Sequence, residues 1–308
     1  MSQETESHAL PNGYRLQDYK IDKVLSAGGF SFVYLARDRH GKLVAIKEYL
    51  PAALAVRDEG SRVTAKSPQD LVNFRHGLKS FFEEGRALAG INHGNVVRVL
   101  NFFRANDTVY MAMKYEQGKS LQEYIQAHPE PVREDFVRRL FNELLGGLRE
   151  VHARKLLHLD IKPSNIYIRV DGSPVLLDFG SARQALAEVQ SRLPLSFTPG
   201  FASPEQYADR KQLGPWSDIY SVGASMYACL VRTSPPAADL RTQEDRMMPA
   251  VQAGKGVYSK HLLEIIDWCM KLDPLQRPQS VFALQKALQE MPAEEKSLLG
   301  TLRKKLRL

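Results

Sequence analysis

Cysteine is scarce in this chain: two in 308 residues, Cys229 and Cys269. Both fall in apolar runs, residues 227–231 and 265–270, which argues for two buried thiols and against a disulfide framework or a cysteine-built metal site. Long apolar runs are missing as well. The longest, around Val222–Val231, is too short to cross a bilayer and reads as a core helix. No apolar core follows a basic start, so no signal peptide is expected, and a cytoplasmic location follows from that. There is no internal repeat and no low-complexity segment. Until the last residues there is no block of one charge sign either; the net charge of +7 is spread thinly. That pattern describes solvated surface, and no nucleic-acid partner is expected.

What the chain does have is a dense polar stretch between apolar runs: His158-Leu159-Asp160-Ile161-Lys162-Pro163-Ser164-Asn165. Asp160 can accept a proton from an attacking hydroxyl. Lys162 can neutralise charge on a phosphate in transit, and Asn165 offers an amide oxygen to a hard cation. Beyond the apolar run Val175-Leu176-Leu177 comes Asp178-Phe179-Gly180, a second carboxylate. Two oxygen ligands on two loops are what a metal bridging nucleotide phosphates needs.

The H-x-D-x-K-x-x-N and D-F-G elements together resemble a eukaryotic-type (Hanks-type) serine/threonine protein kinase. The resemblance runs from about Tyr14 to Leu288. It implies an α+β, bilobal kinase-like fold: a small antiparallel β-sheet lobe and a larger, mainly helical lobe. The implied organisation is a flexible leader over 1–13, an N-lobe over 14–113, and a hinge with the C-lobe over 114–290. A basic amphipathic tail over 291–308 would follow. ATP and Mg²⁺, or Mn²⁺ in its place, are the implied cofactors, with Asn165 and Asp178 holding the metal.

Ser26-Ala27-Gly28-Gly29-Phe30-Ser31-Phe32-Val33 resembles the family's glycine-rich loop, but only Gly28 matches a glycine position; Ser26 and Ser31 replace the others. The resemblance makes Ser26, Ala27, Gly28, Gly29, Ser31, Val33 and Ala45 nucleotide contacts. Leu43-Val44-Ala45-Ile46-Lys47 matches V-A-I-K, so Lys47 would hold the α- and β-phosphates. Its partner is a glutamate on the helix containing residues 81–88, Glu84 by register, with Glu83 one helical step away. The string Glu48-Tyr49-Leu50-Pro51, with Ala55-Val56-Arg57, resembles a bacterial subgroup. The residues between Lys47 and that helix read either as a regulatory surface or as a loop bracing it.

Predicted strands over 97–104 and 108–113 join at the turn Ala105-Asn106-Asp107. The hinge Lys114-Tyr115-Glu116-Gln117-Gly118 would contact adenine through Lys114 C=O and Glu116 N–H. Met113 takes the gatekeeper position or simply fills the core. Phe136, Leu140, Leu144, Leu148 and Val151 form a helical stripe over 134–154. His158 is expected to pack and to bond the loop, with no chemical role. Thr198 would bond Asp160, Glu205 would pair with Arg277, Ser217 would cap a long helix, and Asp218 would brace the catalytic loop. An activation segment runs from Ser181 to about Thr198. Leu159 supplies no charge for a phosphate at Ser191 or Ser196, so its ordering is not expected to depend on one.

The implied reaction is transfer of the γ-phosphoryl group of ATP to serine or threonine hydroxyls of protein substrates, the enzyme itself included. Asp160 would act as the base and Lys162 would screen the γ-phosphate, with Lys47 and Glu84 behind the α- and β-groups. Two other readings are a kinase-like scaffold that binds ATP without transfer, suggested by the altered loop, and a small-molecule phosphotransferase. Residues 297–308, leucines mixed with four basic side chains, read as a membrane-surface or partner-binding helix or as a solvated end.

Overall fold

The computed structural model describes residues 8–179, 183–184, 197–208 and 210–290, with the backbone alone at 183, 184 and 210. The chain divides into two compact units, Met1–Gln117 and Gly118–Leu308. Residues 1–7, Gly180, most of the activation segment with Ser191 and Ser196, and the tail 291–308 lie outside the described residues.

The first unit is built on strands β1 (Arg15–Leu16), β2 (Tyr19–Ala27), β3 (Ser31–Arg37), β4 (Leu43–Tyr49), β7 (Val99–Ala105) and β8 (Thr108–Lys114). They form one antiparallel sheet in the order β1-β2-β3-β4-β8-β7. In β3 half-buried residues alternate with buried ones, the period-2 pattern of a strand with one face in the core. The β7–β8 turn is shorter than the sequence suggested: Ala105 is in the ladder, and only Asn106 and Asp107 turn, at φ 51° and 56°. Two consecutive positive φ values make a tight primed turn, for which Asn and Asp are suited.

Residues after β4 fold as a small hairpin, β5 (Ala55–Arg57) with β6 (Val63–Ala65), and then as helix α1, Pro68–Ala89. The helix therefore begins well before residue 81. Ser67 caps it by accepting from Asp70 N–H, and Pro68 opens it. The inserted residues are thus a hairpin plus the first turns of the helix itself. The end of the expected leader is packed: Leu10 is buried and its N–H donates to Tyr34 Oη at 3.2 Å.

The second unit begins with β9 (Gly118–Ser120) and α2 (Leu121–Ala127), followed by α3 (Glu134–Ala153), β10 (Leu156–Leu157), β11 (Ile166–Arg169), β12 (Pro174–Leu176) and β13 (Arg183–Gln184). Helices α4 (Pro204–Ala208), α5 (Pro215–Val231), α6 (Ala238–Gln243), α7 (Ala250–Ala253), α8 (Lys260–Cys269) and α9 (Val281–Gln289) complete it. The α3 stripe buries Leu140, Leu144, Leu148 and Val151 as expected, but Val137 takes the core position at its start. Phe136 instead stacks on Tyr124 with ring centroids 4.7 Å apart. Helix α5 is buried along its length from Ser217 to Leu230, and its polar residues Ser217, Asp218, Ser221 and Ser225 are buried with hydrogen-bond partners. Ser217 is not its cap: Gly214 holds that place, and Ser217 Oγ accepts from Gly214 N–H at 3.2 Å and donates to Glu205 at 2.7 Å. Both cysteines are buried free thiols, and burial pushes the pKa of Cys229 up to about 12. No helix among the described residues is long and apolar enough to cross a membrane.

Candidate active site

In the first unit, strand register decides which side chains share a face. Ser26 pairs with Val33, Val33 with Lys47, and Ala45 with Met113. Directly opposed residues project to the same side of a sheet, and so do residues two apart along a strand. Ser26, Val33, Ala45, Lys47 and Met113 therefore lie on one face. Lys47 Nζ is 3.9 Å from Glu84 Oε1 on α1, an ion pair longer than a hydrogen bond, and 5.6 Å from the centre of the Phe81 ring. Glu83 is exposed and faces Lys79 at 3.8 Å, so the one-step ambiguity resolves to Glu84 as the neighbour of Lys47. Gly28 and Gly29 sit in the loop between β2 and β3 with Ala27 and Ser31 at its ends; Gly28 N–H donates to Ser31 C=O at 2.9 Å. At the end of β8, Lys114 N–H donates to Arg98 C=O at 2.9 Å, and its Nζ lies 3.2 Å from Glu116 Oε1.

On the opposite face of β4 sits Glu48, fully buried. It accepts from Tyr34 Oη at 2.7 Å, from Tyr110 Oη and from the Arg57 guanidinium. Arg57 also reaches His8 C=O at 2.7 Å and Ser61 C=O at 2.8 Å. A buried carboxylate is tolerable only when its oxygens are satisfied in this way. Burial, with Glu48 beside them, pushes both tyrosine pKa values far up, so the hydroxyls stay protonated donors.

In the second unit the polar stretch folds around Asp160. Thr198 Oγ donates to Asp160 Oδ1 at 3.0 Å. Lys162 Nζ bridges Asp160 Oδ2, at 2.8 Å, and Thr198 Oγ, at 2.6 Å. Asn165 commits its NH₂ to Asp160, 2.9 Å from the main-chain oxygen and 3.1 Å from Oδ2. The loop of Asp178 is tied to this one by Leu177 N–H donating to Asn165 C=O at 2.9 Å. Asp178 itself has φ 54°, an uncommon backbone state for a residue other than glycine. Phe179 is buried against the His158 ring at 4.4 Å. His158 Nε2 donates to Leu177 C=O at 3.1 Å and Nδ1 accepts from Asp160 N–H at 3.3 Å, so the ring is neutral. Burial holds its pKa below the usual value, in line with a bracing role.

The loop backbone is clamped from below. Asp218, fully buried, accepts from His158 N–H at 2.9 Å and Leu159 N–H at 2.8 Å. His152 Nε2 is 2.7 Å from the same carboxylate. Burial alone would raise the Asp218 pKa; the bonds from His152 and the His158 amide outweigh it and hold the carboxyl below its ordinary range. Leu159 takes φ 62°, and its C=O accepts from Gln206 Nε2 at 2.9 Å. Gln206 Oε1 in turn accepts from Ser203 N–H at 3.0 Å, so one side chain joins the catalytic loop to Ser203-Pro204-Glu205. Glu205 and Arg277 form a two-pronged ion pair of 2.8 and 3.0 Å with both side chains buried.

Sequence reading missed His152, Gln206 and the Glu48 centre. His152 lies in the last turn of an amphipathic helix, and nothing in its spacing marks a partner 66 residues away. Gln206 follows a recognisable Ser-Pro-Glu, yet a lone glutamine carries no chemical signal. The adjacent charges Lys47 and Glu48 at the end of an apolar strand were the available clue to a buried acid.

The chain matches the family model described as the protein kinase domain over residues 19–290. It is 27% identical over 291 residues to serine/threonine-protein kinase D of Synechocystis sp., covering 90% of this chain and 52% of that protein. Serine/threonine-protein kinase C of the same organism is 28% identical over 286 residues, covering 88% and 49%. The chain thus spans about half the length of these relatives. Among solved structures, the PpkA-294 apo form superposes with a TM-score of 0.82 at 35% identity, over 92% of this chain and all of that one. Motif order, the loop geometry around Asp160 and these matches agree: the chain belongs to the Hanks-type protein kinase family.

Proposed function

We propose that this protein transfers the γ-phosphoryl group of ATP to serine or threonine hydroxyls of proteins, from one catalytic domain over residues 14–290. The observation that carries the reading is the triangle of Asp160, Lys162 and Thr198. It sets a carboxylate, a cation and a hydroxyl within hydrogen-bond reach of one another. In this reading Asp160 receives and orients the substrate hydroxyl and takes its proton. Lys162 stabilises negative charge on the group in transit, and Lys47, held near Glu84, does so for the α- and β-phosphates. Thr198 steadies the carboxylate between turnovers.

The residues fit a hard cation. Asn165 spends its NH₂ on Asp160, which leaves the amide oxygen as its ligand atom, and Asp178 adds a carboxylate from the tied neighbouring loop. Mg²⁺ or Mn²⁺ suits two such oxygens with phosphates completing its shell; bound there, it would neutralise phosphate charge. Cytoplasmic location and contacts through residues 297–308 remain part of this proposal, on sequence grounds alone.

The test is incubation with labelled ATP and Mg²⁺, with and without a protein substrate. Asp160→Asn, nearly isosteric, is expected to keep its fold and bind ATP while transfer falls by about 10²–10⁴-fold. Transfer at the wild-type rate would remove Asp160 from the chemistry.

A further inference from the structure

The glycine-rich loop departs from its family at Ser26 and Ser31, and the chain carries an unexplained Leu-Pro-Ala turn after the strand of Lys47. The structure joins these two oddities. Leu50 N–H donates to Phe30 C=O at 3.0 Å, and Ala52 N–H donates to Gly29 C=O at 2.9 Å. Pro51, between the two donors, has no N–H to offer. These bonds carry the β3–β4 ladder, whose last paired residues are Ser31 and Tyr49, on to the tip of the loop.

Peptide planarity gives the anchor its consequence. Gly29 C=O and Phe30 N–H belong to one trans peptide unit and point in opposite directions. A bond that fixes the carbonyl toward Ala52 therefore fixes the Phe30 amide away from it. Glycine at 29, with no Cβ to restrain its backbone, would otherwise let this plane turn over. A turned plane would offer an anion a carbonyl instead of a donor. The Gly28 amide is already spent on Ser31, whereas the amides of Gly29 and Phe30 have no acceptor among the described residues. Oriented, unspent backbone amides are an anion-binding element.

We propose that the Leu50-Pro51-Ala52 turn is a positioning element for nucleotide phosphate: it locks the Gly29–Phe30 peptide so that the Phe30 amide serves as a donor to the triphosphate. It does by hydrogen bonding what the missing glycines do elsewhere by freedom of approach. The inference rests on the kinase reading above.

Ala52→Pro isolates the contact. Ala52 is exposed and follows Pro51, whose C=O accepts from Leu54 N–H at 2.9 Å; it is the second residue of that turn, where proline is well tolerated. The change removes the N–H and sets the ring Cδ where the hydrogen was, so Gly29 C=O loses its donor and is pushed off the anchor. Ala52→Ser keeps the N–H and serves as control. ATP with Mg²⁺, and adenosine alone, are titrated into wild type and both variants by calorimetry, with a melting curve for each. Expected for Ala52→Pro is a loss of about three- to tenfold in ATP affinity, the value of one hydrogen bond, with adenosine affinity and melting temperature unchanged. Ala52→Ser should match wild type. Unchanged ATP affinity in Ala52→Pro overturns the proposal, as does an equal loss for ATP and adenosine. If Ala52→Pro melts lower, hydrogen exchange of wild type decides: rapid exchange at Leu50 and Ala52 denies the anchor, and slow exchange at both upholds it. Wild type that binds neither ligand overturns the kinase reading first; slow exchange would then leave a purely structural turn.

Discussion

Gly77→Ala should destabilise this protein, although the same change in most helix interiors stabilises by about 1 kcal/mol. Gly77 lies on α1 against Tyr49, and a Cβ built there would be 1.8 Å from the tyrosine hydroxyl oxygen and 2.5 Å from Cζ. Real Cβ contacts essentially never fall under 3.0 Å, so helix or ring must move by more than an ångström. The ring has little room. It is buried, stacks on Phe74 and tilts against Phe81 with centroids 5.8 Å away in each case, and its residue's C=O accepts from Thr108. Overpacking of this kind costs about 1–3 kcal/mol, enough to cancel or exceed the helix gain. Movement of α1 also carries Glu84, so the KM for ATP should rise more than kcat falls. The assay is a melting curve with ATP-dependent kinetics for Gly77→Ala, alone and combined with Tyr49→Phe or Tyr49→Leu. Leucine, which lacks the far end of the ring, should restore stability; phenylalanine, which keeps Cζ, should restore less. A Gly77→Ala protein that melts at or above wild type would refute the reasoning.

Lys47→Met should leave the melting temperature within a few degrees of wild type and raise the KM for ATP; full activity in a kinase assay would return Lys47 to a structural role. Arg277→Met leaves Glu205 buried without its partner and should cost about 3–5 kcal/mol in chemical denaturation, part of which Glu205→Gln added to it should recover. Asp218 has a depressed folded pKa, so its contribution to stability is full above its unfolded value of 3.8 and is lost as pH falls through the lower folded value. Asp218→Asn should therefore be less stable at neutral pH and lose less on acidification below about pH 4; parallel melting curves for the two proteins across pH 5 to pH 3 would count against it.

The elements that sequence exposes best here are those carried by period or by a fixed spacing. The four-residue stripe in α3 gives its buried face directly, the apolar run ending in Lys47 gives β4, and the offsets among Asp160, Lys162 and Asn165 give the loop. Two kinds of feature escape. One is the partner of a buried polar group, because hydrogen bonding across 47 residues, as between Gln206 and Leu159, leaves no local pattern. The other is the start of an element whose signals are weak. Helix α1 opens at Ser67-Pro68, a good cap and a good first residue, but Gly77 interrupts the apolar rhythm, and the span reads as loop until the tyrosine that needs the glycine is known. Phe136 shows a third limit: an aromatic at the right spacing can lie at the edge of a stripe, with the smaller Val137 one step along filling the core.

Lys47 and Glu48 are neighbours of opposite charge on opposite faces of β4, each nearly or wholly buried. A strand that slips by one residue exchanges its faces completely. A slip one way would set Glu48 against Glu84, acid beside acid; a slip the other way would thrust Lys47 among Tyr34, Tyr110 and Arg57, cation beside cation. Both errors leave charge unpaired where water cannot reach it, and either alone is costly. The dipeptide therefore works as a two-sided key that admits one alignment of the central strand, and the lysine's place is guaranteed in part by the acid behind it.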